Sequence, residues 1–178
     1  MTVKLNLGCG KNALDGWENH DADVDISKPL PWHASAADFI FCEHCVEHVT
    51  YYQAIEFFKE CHRVLCPGGV VRIAVPSLEQ IMQWGDQDYF QFTTQFHKQG
   101  ATVRGAMHSI LYQFGHKTAW TDSLLESTLF FSGFDSLSIA KRAPNESPHT
   151  ALRGIDGHAK IISARWNVIE TIVWEGIK

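Results

Sequence analysis

The chain has 178 residues, 45% hydrophobic and 20% charged, which is the size and composition of one soluble domain with a sizeable core. Its formal net charge of −5, with no cluster of Lys and Arg, is a poor electrostatic match for nucleic acid. No apolar run approaches the roughly 18 residues needed to cross a bilayer, so we expect no nucleic-acid partner and no membrane partner.

The amino-terminal residues contain no long apolar stretch, which predicts that there is no signal peptide. Five cysteines in a chain without an export signal indicate a reducing compartment, and we therefore expect a cytoplasmic protein. No repeat, low-complexity tract or linker divides the sequence. Residues 1–178 are accordingly predicted to form a single domain.

The first predicted element is a strand at residues 3–7, where apolar and polar side chains alternate. It stops at Gly8-Cys9-Gly10, which predicts a glycine turn. Residues 38–42 form a short apolar run and are predicted to be a buried parallel strand. Residues 51–65 place apolar side chains at helical spacing, which predicts a helix with one buried face.

The helix is predicted to end at the turn Cys66-Pro67-Gly68-Gly69, and residues 70–75 form the next predicted strand. Strand, helix and strand in this order predict a right-handed βαβ unit. Residues 77–120 are rich in Phe, Gln and His and are predicted to be partly helical. Thr121 can cap a helix that continues to about residue 131.

The carboxyl-terminal part is predicted to close the sheet with an antiparallel pair of strands. Ser132-Gly133 ends the preceding helix, and residues 136–140 and 168–174 are the two predicted strands. The loop of residues 144–148 lies between them without a predicted helix. This arrangement is typical of a hairpin at one edge of a sheet.

Two short segments, residues 8–10 and residues 21–26, could bind a ligand. The glycines of Gly8-Cys9-Gly10 let the backbone approach a ligand closely at the end of a strand, but residues 11–16 supply no third glycine, so the dinucleotide fingerprint is incomplete. Asp21 follows the second predicted strand, where a carboxylate can accept both hydroxyls of a ribose. Asp25 and Ile26 could reach an adenine from a short third strand. A plain turn and a solvated acidic loop are the alternatives.

Several segments in this order resemble the class I S-adenosylmethionine-dependent methyltransferases, and within them a compact group whose first helix is shortened to a turn. The likeness is close over residues 3–79 and looser from Gly115 onward. The segments that carry it are Leu5-Asn6-Leu7-Gly8-Cys9-Gly10, Gly16-Trp17-Glu18-Asn19-His20-Asp21, Leu30-Pro31-Trp32, residues 38–42, Glu43-His44-Cys45-Val46-Glu47-His48 and residues 60–69.

The resemblance implies an α/β, Rossmann-like three-layer sandwich. Its sheet would have six or seven mostly parallel strands in the order 3-2-1-4-5-7-6, with an antiparallel carboxyl-terminal hairpin, and a count of six would mean that the third strand is lost. It also implies that the cofactor is S-adenosylmethionine. The implied cofactor-binding residues are Gly8, Cys9 and Gly10 against the methionine part, Asp21 on the ribose diol, Asp25 and Ile26 at the adenine, and Glu43 and His44 at the methionine end.

The cysteines and histidines of residues 42–48 call for a comparison with metal sites. Cys42 and Cys45 have the spacing of zinc ligands, and His44 and His48 are four residues apart. Tetrahedral zinc sites usually draw ligands from two separated segments, however, and the sequence has no second C-x-x-C. We therefore expect no metal. The Glu47-His48 pair is expected to cap and orient the following helix.

Methyl transfer to an oxygen needs a group that positions the acceptor and takes its proton, for which a histidine is suited. His116 is the first candidate for this base and His108 the second; a surface or structural role is the alternative for each. Residues 77–120 are predicted to be a helical cap over the active site, although their aromatic side chains could instead form the contact of a homodimer.

The favoured function is O-methylation of a small molecule or a saccharide. The sequence has no Asn-Pro-Pro-Tyr motif, which disfavours methylation of amino groups on nucleobases. A non-catalytic domain that binds S-adenosylmethionine and an NAD-dependent Rossmann-like reductase are the other functions that we considered.

Overall fold

A six-stranded sheet runs through the computed structural model, which describes residues 2–178. Met1, part of the expected domain of residues 1–178, lies outside the described residues. The strands are β1 (Lys4–Leu7), β2 (Glu18–His20), β3 (Ala37–Glu43), β4 (Leu65–Pro76), β5 (Ile139–Arg142) and β6 (Thr171–Ile177). The helices are α1 (Tyr51–Val64), α2 (Leu78–Trp84), α3 (Gln87–Thr93), α4 (Val103–Tyr112), α5 (Asp122–Phe131), α6 (Ala159–Ile162) and α7 (Ala164–Glu170).

The strand order is β2-β1-β3-β4-β6-β5, and the first four strands are parallel. β6 pairs antiparallel with both β4 and β5. The mostly parallel α/β sheet with an antiparallel end is therefore confirmed, and the order is the expected one with the third strand removed. That strand is replaced by a turn, because the Asp25 carboxylate accepts hydrogen bonds from the Ser27 backbone and hydroxyl at 3.0 and 2.6 Å.

The α1 helix packs its buried residues on the sheet, as the helical spacing predicts. Thr50 and Gln53 form a reciprocal capping box at its amino terminus, so the Glu47-His48 pair is not its cap and that expectation is wrong. The apolar residues that α1 buries are Ala54, Phe57, Phe58, Cys61 and Val64.

The segment Cys66-Pro67-Gly68-Gly69 is part of β4 and not a separate turn. Ala37 pairs with Leu65 while Phe39 pairs with Val70, so the extra residues bulge out of the strand. Gly69 fits this bulge because a Cβ there would lie 2.9 Å from the Cys66 carbonyl oxygen.

The carboxyl-terminal strands are displaced from their predicted positions. β5 covers Ile139–Arg142, and β6 begins at Thr171 because Val168 belongs to α7. The connection between them carries α6 and α7, so the expected hairpin without a helix is wrong. The apolar spacing across residues 168–174 does not distinguish the end of a helix from the start of a strand. The Thr121 cap of α5 is confirmed, since its side chain accepts from the Leu124 N–H.

Residues 77–120 form α2, α3 and α4, joined by a 3₁₀ turn at Thr94–Phe96. These helices pack with α7 around a small apolar cluster separate from the main core. Its buried members are Ile81, Tyr89, Ala106, Ile110 and Ile169. No helix among residues 2–178 combines the length and the apolar character that a membrane span requires.

A buried ion cluster fastens the β5–α6 connection to the sheet. Arg72 of β4 has no exposed surface and donates from Nε to Asp156 at 2.8 Å and from Nη1 to Glu175 at 2.7 Å. Asp156 also accepts from the Asn145 backbone N–H. Gly157 and His158, which follow directly, are thereby held at a fixed position above the sheet.

Candidate active site

The glycine turn after β1 adopts a conformation that favours glycine. Gly8 and Gly10 have φ of +69° and +47°. A Cβ at Gly8 would lie 2.4 Å from Cys45 Sγ, so the turn also packs closely against the segment after β3. The Gly10 N–H points to the exposed Asp21, whose Oδ1 is 3.4 Å away. The expected closeness of the glycines and Asp21 is thus present.

A first cavity of about 320 Å³ opens beside this turn. Five of the residues expected to bind the cofactor line it, namely Gly8, Cys9, Gly10, Glu43 and His44. Gly157, His158 and Ile161 form part of the opposite wall.

Asp25 and Ile26 are not brought to this cavity. Hydrogen bonds from Ser27 lower the pKa of Asp25 to about 2, and Ile26 is buried in the main core.

Glu43 joins the glycine turn to the segment that follows Asp156. Its carboxylate accepts from the Gly157 N–H at 2.7 Å and from the His158 N–H at 3.1 Å. Burial raises the pKa of Glu43 above its ordinary value. Asn12 donates to the Ile155 carbonyl at 3.0 Å and completes the connection. No local signal in the sequence indicates these contacts, because the partners of Glu43 are 114 and 115 residues away.

A second cavity of about 370 Å³ lies under the helices of residues 77–120. His44, His158 and Ile161 line both cavities and therefore separate them. The apolar wall consists of Tyr89, Phe96, Ile110, Phe114, Ile161 and Ile162. The polar residues that line it are His44, Glu47, His48, Thr93, Ser109, His116, His158 and Glu170.

The two histidines between the cavities are held by different partners. Their rings are stacked, with centroids 3.6 Å apart. His158 Nε2 lies 3.2 Å from Glu170 Oε1, and the other Glu170 oxygen accepts from the Tyr89 hydroxyl at 2.9 Å. Burial opposes the charge on Glu170, but the bonds from His158 and Tyr89 hold its pKa below its ordinary value. Glu170 is therefore a carboxylate at neutral pH.

His44 is a neutral donor in this arrangement. Its Nε2 lies 2.9 Å from Thr171 Oγ1, and the Thr171 hydroxyl donates in turn to Asn167. His44 Nε2 therefore carries a proton. Burial and the adjacent His158 lower the pKa of His44 to about 3.

Comparison with known proteins agrees with this architecture. A family described as a methyltransferase domain matches residues 5–73, whereas no curated protein sequence matches the chain. An S-adenosylmethionine-dependent methyltransferase from Archaeoglobus fulgidus superposes with a TM-score of 0.57 at 14% identity, covering 99% of this chain and 86% of the other. One from Mesorhizobium loti gives 0.54 at 13% identity, with 99% and 90% covered. Residues 5–73 therefore match a methyltransferase domain, and the whole chain has the fold of S-adenosylmethionine-dependent methyltransferases.

A third similar structure is the Haemonchus contortus phosphoethanolamine N-methyltransferase 2 in complex with phosphomonomethylethanolamine and S-adenosylhomocysteine. Its TM-score is 0.57 at 12% identity, and the match covers 100% of this chain but 50% of that one. At such identities these structures share the fold.

The two histidines that the sequence offered as candidate bases lie in different parts of the structure. His116 faces the second cavity, with Nε2 4.0 Å from Glu47 Oε1. His108 lies on another face of α4, in a shallow groove with Met107 and Tyr112. The sequence selected neither His158 nor Glu170 as a candidate.

Proposed function

We propose that this methyltransferase binds S-adenosylmethionine in the first cavity and methylates a hydroxyl of a small molecule held in the second. The observation that carries the proposal is the position of His44 and His158, which form a shared wall between the two cavities. Methyl transfer from a sulfonium is an in-line displacement, so the methyl donor and the acceptor oxygen have to come into direct contact. Two adjacent cavities that share lining residues can bring them together.

Two features beside the first cavity suit the cofactor. A Cβ at Gly10 would enter open space, so the glycine leaves the backbone accessible there, and the exposed Asp21 carboxylate next to this turn can accept hydrogen bonds from a ribose diol. When bound, S-adenosylmethionine supplies an activated methyl group. Glu43 contributes by fixing the cavity wall through Gly157 and His158, since its oxygens already accept backbone hydrogen bonds.

His158 is the base that this geometry favours. It lines both cavities, and the Glu170 carboxylate fixes the proton of the imidazole on Nε2, so Nδ1 keeps the lone pair that accepts a proton. His116, the first choice from the sequence, faces only the second cavity and is the alternative.

The walls of the second cavity favour a small aromatic or alkyl alcohol over a saccharide. Tyr89, Phe96 and Phe114 offer flat apolar surfaces on which an aromatic or alkyl group can pack, while the polar side chains of the cavity can bind the acceptor hydroxyl. The cavity lies beneath residues 77–120, which we propose to be the cap over the active site.

The test compares His158→Gln with His108→Gln, the control outside the cavities, on a panel of small hydroxylated molecules. S-adenosylhomocysteine formation gives turnover, and calorimetry gives the affinity for S-adenosylhomocysteine. We expect kcat to fall by about 100-fold or more in His158→Gln and to stay unchanged in the control. Unaltered turnover in His158→Gln together with a large loss in His116→Gln would assign the base to His116.

A further inference from the structure

The second cavity contains a set of metal-ligating side chains that the methyl-transfer proposal leaves without a role. Glu47, His48 and His116 each offer one ligand atom, and these three atoms lie within 4.8 Å of one another. The Oε1 atom of Glu47 is 4.0 Å from Nε2 of His116.

Glu47 is a buried carboxylate without a hydrogen-bond partner. Only 1% of its surface is exposed, and among residues 2–178 no group donates to either of its oxygens. Burying such a group without compensation is costly, so buried carboxylates are normally paired or bound to a metal. The neighbouring group His44, His158 and Glu170 differs, because His158 and Tyr89 already satisfy both Glu170 oxygens.

We propose that Glu47, His48 and His116 bind a divalent first-row transition metal ion, such as Zn²⁺. Two imidazoles and one carboxylate suit these ions better than Mg²⁺ or Ca²⁺, which prefer oxygen ligands alone. A site with bonds of about 2.1 Å places tetrahedral ligand atoms about 3.4 Å apart. The three ligand atoms lie within 4.8 Å of one another, so they need to approach by no more than about 1.4 Å.

Two separated segments contribute these ligands. Glu47 and His48 belong to the 3₁₀ turn after β3, and His116 comes from the connection between α4 and α5. The N–H groups of Lys117 and Thr118 donate to the Glu47 carbonyl at 2.8 and 3.2 Å and hold the segments together. The expectation of no metal rested on the lack of a second ligand segment, and the fold supplies one at His116.

An ion at this position would also orient an acceptor oxygen in the second cavity. That consequence rests on the proposed function, whereas the metal site does not. His48 is exposed and gives the ion a route from solvent.

The experiment uses the full chain without an affinity tag, stripped with a chelator and dialysed. Co²⁺ is titrated into the protein while visible d–d absorption is recorded. Zn²⁺ is then added to displace the bound Co²⁺. We expect one Co²⁺ per chain and tetrahedral-type bands. In Glu47→Gln and His116→Asn the affinity for Co²⁺ should fall by at least about 10-fold. Even the loss of a residue that only supports a metal ligand typically lowers metal affinity by this much. His108→Asn, on α4 outside the cavity, should bind Co²⁺ like the wild type.

Circular dichroism confirms folding of each variant, and Glu47→Gln keeps the volume of the side chain while it removes a buried charge. Absence of the Co²⁺ bands in the wild type, or bands that both folded variants retain, would overturn the metal site. Calorimetry with S-adenosylhomocysteine on the same preparations tests the proposed function separately. Lack of S-adenosylhomocysteine binding beside intact Co²⁺ bands would reject that function and leave the metal site in place.

Discussion

The buried ion cluster around Arg72 makes the stability of this methyltransferase sensitive to a single uncharged replacement. In Asp156→Asn the shape of the side chain is kept, but Arg72 loses one of its two carboxylate partners inside the protein. Removing a partner from a buried pair typically costs about 3–5 kcal/mol. We expect about 3 kcal/mol here, at the lower end of that range, because Glu175 still neutralises Arg72 and the amide oxygen can accept from Nε.

Unfolding by urea, followed by tryptophan fluorescence and by circular dichroism, measures this free energy. For a chain of this size about 3 kcal/mol corresponds to a decrease in Tm of roughly 6–12 °C. Glu56→Gln is the matched control, since its pair with Lys59 is exposed and should contribute no more than about 0.5 kcal/mol. If Asp156→Asn is destabilised by less than about 1 kcal/mol, the buried pair does not hold the β5–α6 connection as argued.

Two further predictions concern Asp21 and the glycine turn beside the first cavity. Asp21→Ala removes a carboxylate that would bind the ribose through charge-assisted hydrogen bonds, worth about 2–3 kcal/mol, so the affinity for S-adenosylhomocysteine measured by calorimetry should fall roughly 30- to 150-fold. Asp15→Ala is the control, and equal affinities in the two variants would reduce Asp21 to a loop residue. Gly8→Ala and Gly10→Ala both place alanine at positive φ, at a cost of about 1–2 kcal/mol. Only Gly8→Ala also collides with Cys45, so its Tm should be the lower of the two, and equal Tm values would contradict the close packing at Gly8.

The local elements of the fold could be predicted from the sequence because their causes lie within a few residues. Alternating side chains and a following glycine pair define β1 and its turn, and Thr121 with Gly133 delimits α5. The order of the sheet came from the family resemblance. What failed were the boundaries, as at Thr171, where an apolar run passes from a helix into a strand.

The candidate site also has a part that could be predicted from local sequence and a part that could not. Gly8, Gly10 and Asp21 follow the ends of the adjacent strands β1 and β2, so the pairing of these two strands brings them together. Glu43 was selected as well, but its contacts with Gly157 and His158 were not, because they depend on how the chain returns to the sheet.

Only the tertiary structure decided which of the many histidines face the cavities. His116 and His108 are eight residues apart, yet one reaches the second cavity and the other an outer face of α4. His158 stands between the cavities because Glu43 and Glu170, from two distant elements, hold its backbone and its ring. Sequence by itself predicted a mostly parallel sheet with a glycine turn after its first strand and an acidic residue, Asp21, after its second. Packing decided the rest, since long-range contacts alone fix which polar side chains are buried together.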